Sequence, residues 1–110
     1  MRTAFTLLLV VGALCAAQPA ASAPALPERL SETGLFQPGT TTVRSDVLPY
    51  SPQYSLWSDG ATKRRWLYLP PGKTIDASEP DAWQFPAGTR LWKEFSHGVP
   101  IETRMLERLD

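Results

Sequence analysis

The sequence predicts an all-β fold, in which an antiparallel sheet forms part of a jelly-roll-like β-sandwich. Two runs, 63–69 and 89–95, are rich in aromatic and aliphatic residues and are bounded by turn residues. The chain also holds 11 prolines and 7 glycines, which divide it into short pieces. Its four tryptophans lie at positions 57, 66, 83 and 92, and each can bury on the order of 200 Å² in a core.

Residues 1–23 are predicted to be a cleaved secretory signal peptide. Arg2 is followed by an apolar run over 4–17, and its roughly 14 residues are too few to span a bilayer, which takes about 20. Ala21-Ser22-Ala23 then gives a small-residue site, with cleavage expected after Ala23. Because Pro24 fits a peptidase poorly, cleavage after Ala17 or Ser22 is the alternative.

This segment has two alternative interpretations. The apolar run could remain as an uncleaved membrane anchor, or Cys15 could carry a lipid. The run is short for an anchor. Leu14 stands where lipid attachment needs a small residue. We therefore expect a periplasmic or extracellular protein that has no membrane attachment after cleavage.

The composition of the remaining chain excludes several functions. Removal of the signal also removes Cys15, so the mature chain is predicted to have no disulfide, thiolate nucleophile or cysteine metal site. It has no Cys-x-x-Cys-His haem motif, and His97 alone cannot build a multi-histidine metal site. The net charge is near zero, so the chain lacks the excess of positive charge that is typical of nucleic-acid-binding proteins. We expect no metal, no cofactor and no nucleic-acid partner.

Residues 24–49 are predicted to be an irregular segment that wraps over the domain. Four prolines and two glycines punctuate it. Only 27–31 favours a helical turn, and only 40–44 favours an extended piece.

Residues 50–110 are predicted to be the β-rich domain. An ordered loop over 50–62, with the turn signal Ser58-Asp59-Gly60, leads into the strand 63–69. Residues 73–75 are expected to return as its partner strand. A second unit runs from Trp83 through a turn at 86–88 into the strand 89–95.

The strand over 89–95 places Leu91, Lys93 and Phe95 on one face and Arg90, Trp92 and Glu94 on the other. Neither face is uniformly apolar, so the strand is expected to be covered on both sides or to lie at an edge. Residues 101–109 fit both helix and strand periods, and the neighbouring hairpins favour a strand. The chain stops directly after this segment, which suggests the N-terminal part of a larger domain.

Candidate site residues are few. Tyr54 and Trp57 with Asp59, together with Tyr50 and Tyr68, could form an aromatic platform with polar handles, as in sugar-binding sites, although aromatic core packing is the alternative. His97 is interpreted as a turn residue, and 63–65 as a solvated basic strand start. The carboxylates lack the spacing of a calcium loop. We predict no catalytic residue and no metal ligand.

Two blocks resemble those of an uncharacterised family of exported bacterial proteins. The first spans residues 49–72 and contains Leu-Trp-Ser-Asp-Gly-Ala-Thr-Lys-Arg-Arg-Trp followed by Leu-Pro-Pro-Gly. The second contains Phe-Pro-Ala-Gly-Thr over 85–89 and Lys-Glu-Phe over 93–95, and an early Leu30–Phe36 block matches as well. Members of that family are longer and often carry, or lie beside, c-type cytochrome domains.

The resemblance implies a role near periplasmic electron transfer, with a c-type cytochrome or another periplasmic protein as partner. The function expected is therefore a non-catalytic exported accessory or interaction β-domain of a cytochrome-linked system. A carbohydrate-binding domain and the N-terminal fragment of a larger secreted enzyme are the alternatives.

Overall fold

The computed structural model of the protein describes residues 25–110, so the predicted signal peptide and its cleavage site at Ala23 lie outside the described residues. The described chain forms one four-stranded antiparallel sheet in the order β1-β2-β3-β4. The strands are β1 (Leu48–Pro49), β2 (Thr62–Tyr68), β3 (Arg90–His97) and β4 (Val99–Glu107). The all-β prediction is confirmed. Residues 25–110 contain a single sheet, so the β-sandwich stays a prediction.

Helical structure in the described range is limited to one 3-10 turn, Leu30–Glu32. The Glu32 carboxylate fixes this turn by accepting hydrogen bonds from the backbone N–H groups of Glu28 and Arg29, over 3.1 and 3.2 Å. The turn overlaps the helical turn expected over 27–31. Among residues 25–110, no helix has the length and apolar character needed to cross a membrane.

The core lies on one face of the sheet. Trp66 of β2 stands opposite Trp92 of β3, which stands opposite Met105 of β4. Residues in register on adjacent strands share a face, so these three side chains form a continuous apolar row. Leu35 and Val47, from the segment before β2, pack against the row and are buried. Full burial of each such side chain contributes about 1.5–3 kcal/mol.

The segment over 25–47 covers this face as an irregular layer. Its only bridge in the described chain joins Phe36 to Val43, and the backbone N–H of Arg44 donates to the carbonyl of Leu35 over 3.0 Å. The extended piece expected over 40–44 is thus reduced to one bridging residue. Apolar side chains on the sheet, rather than a ladder of hydrogen bonds, hold the layer in place.

One strand prediction is wrong. Residues 73–75 do not pair with β2, whose neighbours are β1 and β3. The tripeptide offers one partly buried side chain, Ile75, whereas β3 brings Trp92 against Trp66 and buries far more apolar surface. Of the two alternatives for the strand over 89–95, the edge position is excluded, because β3 has a neighbouring strand on each side.

The prediction of a strand near the end of the chain is confirmed, because β4 runs over Val99–Glu107. Gly98, at φ +71°, closes the turn between β3 and β4, in the left-handed region that glycine adopts without strain. A bulge follows, since Phe95 pairs with Glu102 and Ser96 with Pro100, which leaves Ile101 as an extra residue.

Candidate interaction surface

The predicted ligand residues lie in the loop between β1 and β2, outside the sheet. Tyr54 is 81% exposed and Trp57 is 85% exposed, so neither belongs to the core. Asp59 adopts φ +52° and precedes Gly60, as expected of a turn residue. The structure therefore rejects the core-packing alternative for these two aromatic side chains, while their role in ligand binding stays a prediction.

The base of this loop is held by β2. The Lys63 ammonium group donates to the carbonyl oxygens of Leu56 and Trp57 over 2.6 and 3.4 Å. The Ser58 hydroxyl donates to the carbonyl of Ala61 over 2.8 Å, and the backbone N–H of Ala61 donates to the carbonyl of Ser58. These bonds fix the backbone beneath Trp57 while its indole remains in solvent.

The face of the sheet opposite the core carries a row of four leucines. Leu48 is in register with Leu67, Leu67 with Leu91, and Leu91 with Leu106. The two outer members are 54% and 68% exposed, and the two inner ones are partly buried. Antiparallel sheets with one solvated face place polar side chains on it, so an in-register leucine row there is a departure that indicates a contact surface.

A cleft lies at one end of the leucine row. Trp83 and Phe85, from the connection between β2 and β3, line this cleft together with Leu91 and Leu106. Its volume is about 210 Å³. Space of this size accommodates one or two large side chains of another molecule. We define the open face as the leucine row, this cleft and the basic row described next.

Three cations lie beside the leucine row, each two residues away from the leucine on its own strand. Arg65 is in register with Lys93, and Lys93 with Arg104. The Lys93 ammonium and the Arg104 guanidinium both lie over the Phe95 ring, at 4.8 and 4.9 Å from its centroid. This basic row covers three adjacent strands.

The electrostatic surroundings of the basic row are positive. Removal of Lys63 from solvent, followed by the charges of Lys93 and Arg65, lowers the pKa of Lys63 below its ordinary value. Glu102, in register with Phe95, is the one acidic residue at the strand positions of this face in the described chain. It forms an ion pair with Arg104. The open face therefore carries an excess of positive charge.

Groups that could perform chemistry are engaged elsewhere or isolated. Glu94, buried on the core face, accepts two hydrogen bonds from the Arg64 guanidinium at 2.9 and 2.7 Å, so it acts as a structural ion-pair partner. His97 is exposed at the turn before Gly98. Residues 25–110 contain no group of three or more His, Cys, Asp or Glu that could hold a metal ion.

The sequence analysis placed Leu91, Lys93 and Phe95 on one face of their strand. It did not identify the leucine row or the basic row. The signal that could have found them is the recurrence of a leucine two residues from a cation in 65–67, 91–93 and 104–106. Recognising it requires the strand register, which the sequence does not display.

Comparison of the chain with protein-family models, curated proteins and solved structures finds no significant match.

Proposed function

We propose that this chain is an exported, non-catalytic accessory domain that docks onto another protein through the open face of its sheet. The observation that carries the proposal is the leucine row Leu48-Leu67-Leu91-Leu106, which lies in register on the side of the sheet that faces solvent. Such a row is unfavourable in water and gains about 25 cal/mol for each Å² of apolar surface that a partner covers.

The identity of the partner system is a second part of the same proposal. The resemblance of the 49–72 and 85–95 blocks to an exported family associated with c-type cytochromes supports a periplasmic cytochrome protein as partner. The chain has no haem motif, so its contribution would be to bind and position that protein rather than to carry electrons.

Photocrosslinking in the producing cell tests the docking proposal. A photoreactive amino acid replaces Leu106, which is exposed on the open face, or Leu26, which is exposed and lies near Met105 on the core side. We expect a defined crosslinked product from position 106 and none from position 26. Equal products from both positions, or none from either, would contradict docking through this face.

The crosslinked product also tests the proposed system. Haem staining and mass spectrometry of that product are expected to identify a c-type cytochrome or a protein bound to one. A product without haem and without a cytochrome subunit would refute the cytochrome link while leaving the docking surface intact. Export is tested separately by N-terminal sequencing of the mature protein, whose first residue should be Pro24.

Carbohydrate binding is the second candidate function, and the exposure of Tyr54 and Trp57 on one anchored loop favours it. Aromatic faces held in solvent can stack on sugar rings. A glycan array probed with the protein and with Trp57→Ala tests this candidate. Binding that disappears in the variant supports it, and the absence of any bound glycan excludes it.

A further inference from the structure

We propose that the open face selects a protein partner that presents carboxylates beside an apolar strip. This inference rests on the proposed docking function and adds the chemistry of the partner. It is carried by the alignment of two different rows on one surface, the leucine row and the basic row Arg65-Lys93-Arg104.

The spacing of the two rows defines the complementary pattern. Same-face residues two apart on a strand are separated by about 7 Å, and adjacent strands by about 4.8 Å. The partner should therefore place apolar side chains over the leucines and carboxylates about 7 Å to one side. Both a helix and a second sheet packed roughly 10 Å above the face can present such a pattern.

The basic row places like charges directly opposite one another on neighbouring strands, which supports a role outside the fold. Side chains directly opposite on antiparallel strands have Cβ atoms about 4.5–5.5 Å apart, and like charges at that separation are unfavourable. Lys93 stands between two arginines in this arrangement. Carboxylates supplied by a partner would relieve this repulsion and would form charge-assisted hydrogen bonds with the guanidinium groups.

A second copy of this chain does not supply the required charge. The strand positions of the open face carry four cations, Lys63, Arg65, Lys93 and Arg104, and one carboxylate, Glu102. That carboxylate already forms an ion pair with Arg104. A second copy would bring four more cations and one carboxylate that is already paired, so charge complementarity indicates a different chain.

The shape of the face favours a protein over an anionic membrane. Leu91 and Leu106 line a cleft together with Trp83 and Phe85. A side chain projecting from another protein can enter this concave space, whereas a bilayer surface takes up apolar groups that protrude toward it. Membrane binding is therefore treated as an outcome that would overturn the proposal.

Two fluorescent amphipathic peptides serve as probes. Both carry a leucine stripe at helical spacing, one flanked on a single side by glutamates and the other by lysines at the same positions. Fluorescence anisotropy with the full chain is expected to show binding of the glutamate peptide only. Raising the salt from about 0.05 to about 0.5 M should weaken that binding roughly tenfold, because the Debye length shortens.

Charge reversal locates the binding on the open face. Arg65→Glu combined with Lys93→Glu should invert the preference, so that the lysine peptide binds better than the glutamate peptide. Lys93→Gln should give an intermediate loss. The matched control, Arg29→Glu with Lys73→Glu, changes the charge equally at exposed positions outside the strands and should keep the preference of the natural protein. Circular dichroism verifies that each variant retains its fold.

Three outcomes would overturn the inference. The first is equal binding of both peptides, and the second is failure of the glutamate peptide to bind. The third is binding to phosphatidylglycerol vesicles, in which the natural protein and the control variant sediment with the vesicles and the charge-reversed variant does not. If position 106 still gives a specific crosslink in any of these cases, docking stands and the acidic-partner inference alone fails. If that crosslink is absent, the docking proposal itself fails.

Discussion

The indole Nε1 of Trp92 donates a hydrogen bond to the Thr33 hydroxyl over 3.1 Å, and that hydroxyl donates in turn to the carbonyl of Leu30 over 2.7 Å. Trp92 is 1% exposed and is the third residue of β3. The bond therefore joins the sheet to the layer over 25–47 in a place that water does not reach. The backbone carbonyl of Thr33 also accepts from the Arg90 guanidinium, over 3.3 Å.

Replacing Thr33 by valine should destabilise the protein by about 1–3 kcal/mol, because the buried Trp92 N–H would lose its acceptor. Urea denaturation followed by tryptophan fluorescence measures this change. Thr33→Ser keeps the hydroxyl and should cost clearly less. A larger loss from Thr33→Ser than from Thr33→Val would show that the methyl group of Thr33, which valine keeps, matters more than the hydrogen bond.

Truncation of leucines should distinguish the two faces of the sheet. Leu35→Ala removes a fully buried side chain from the core and should cost about 2–5 kcal/mol in the free energy of unfolding. Leu106→Ala removes an exposed side chain from the open face and should change stability by about 0.5 kcal/mol or less. A large loss from Leu106→Ala in the purified protein would mean that the open face is covered within the molecule.

Lys93→Glu should stabilise the purified protein by about 0.5 kcal/mol, since it places a carboxylate between Arg65 and Arg104 in register on both sides. Thermal unfolding at low salt measures the effect, which should shrink as salt is added. The same substitution should weaken docking to the partner. A variant that is both less stable and unchanged in docking would contradict the role assigned to the basic row.

Acid should destabilise the protein through carboxylates that are hydrogen-bonded in the folded state. The hydrogen bond from Arg44 lowers the pKa of Asp46, the hydrogen bond from Arg104 lowers that of Glu102, and the Ser78 backbone N–H lowers that of Asp76. A carboxyl group with a lowered folded-state pKa stabilises the fold above its unfolded value. That contribution is lost as the pH falls below the ordinary values of 3.8 for aspartate and 4.5 for glutamate.

Stability measured from pH 6 down to pH 2 should therefore decline mainly below about pH 4.5. Asp46→Asn should make the decline shallower, and Arg44→Met should do the same because it removes the main cause of the Asp46 shift. A decline in Arg44→Met as steep as in the natural protein would contradict this explanation. Because these carboxyl groups are exposed, the effect should be modest and salt-dependent.

Local signals predicted β2, β3 and β4 but neither β1, which lies in the segment expected to be irregular, nor all of the strand partners. The alternation over 89–95 and the β-forming residues over 63–69 match β3 and β2 closely, because side-chain period and propensity act within a few residues. The partner of β2 was predicted as 73–75, which is next in the chain. In the structure it is β3, 22 residues after the end of β2, because the burial of Trp92 against Trp66 outweighs the proximity of 73–75.

The open face could not be predicted for a related reason. Leu48, Leu67, Leu91 and Leu106 lie on four different strands, and only the register brings them into one row. A shift of one residue in any strand would send its leucine to the core face. The candidate residues Tyr54 and Trp57, by contrast, belong to one loop, so their proximity in the chain was visible in the sequence.

The central claim, that the open face is covered by a partner in its natural setting, is tested most directly by hydroxyl-radical footprinting of the four leucines. Oxidation of Leu48, Leu67, Leu91 and Leu106 is measured by mass spectrometry in the purified protein and in the producing cell, with Leu26 as an exposed reference. We predict that Leu48 and Leu106 are oxidised readily in the purified protein and protected in the cell, whereas Leu26 reacts equally in both. Equal oxidation of the leucine row in both settings would contradict the claim.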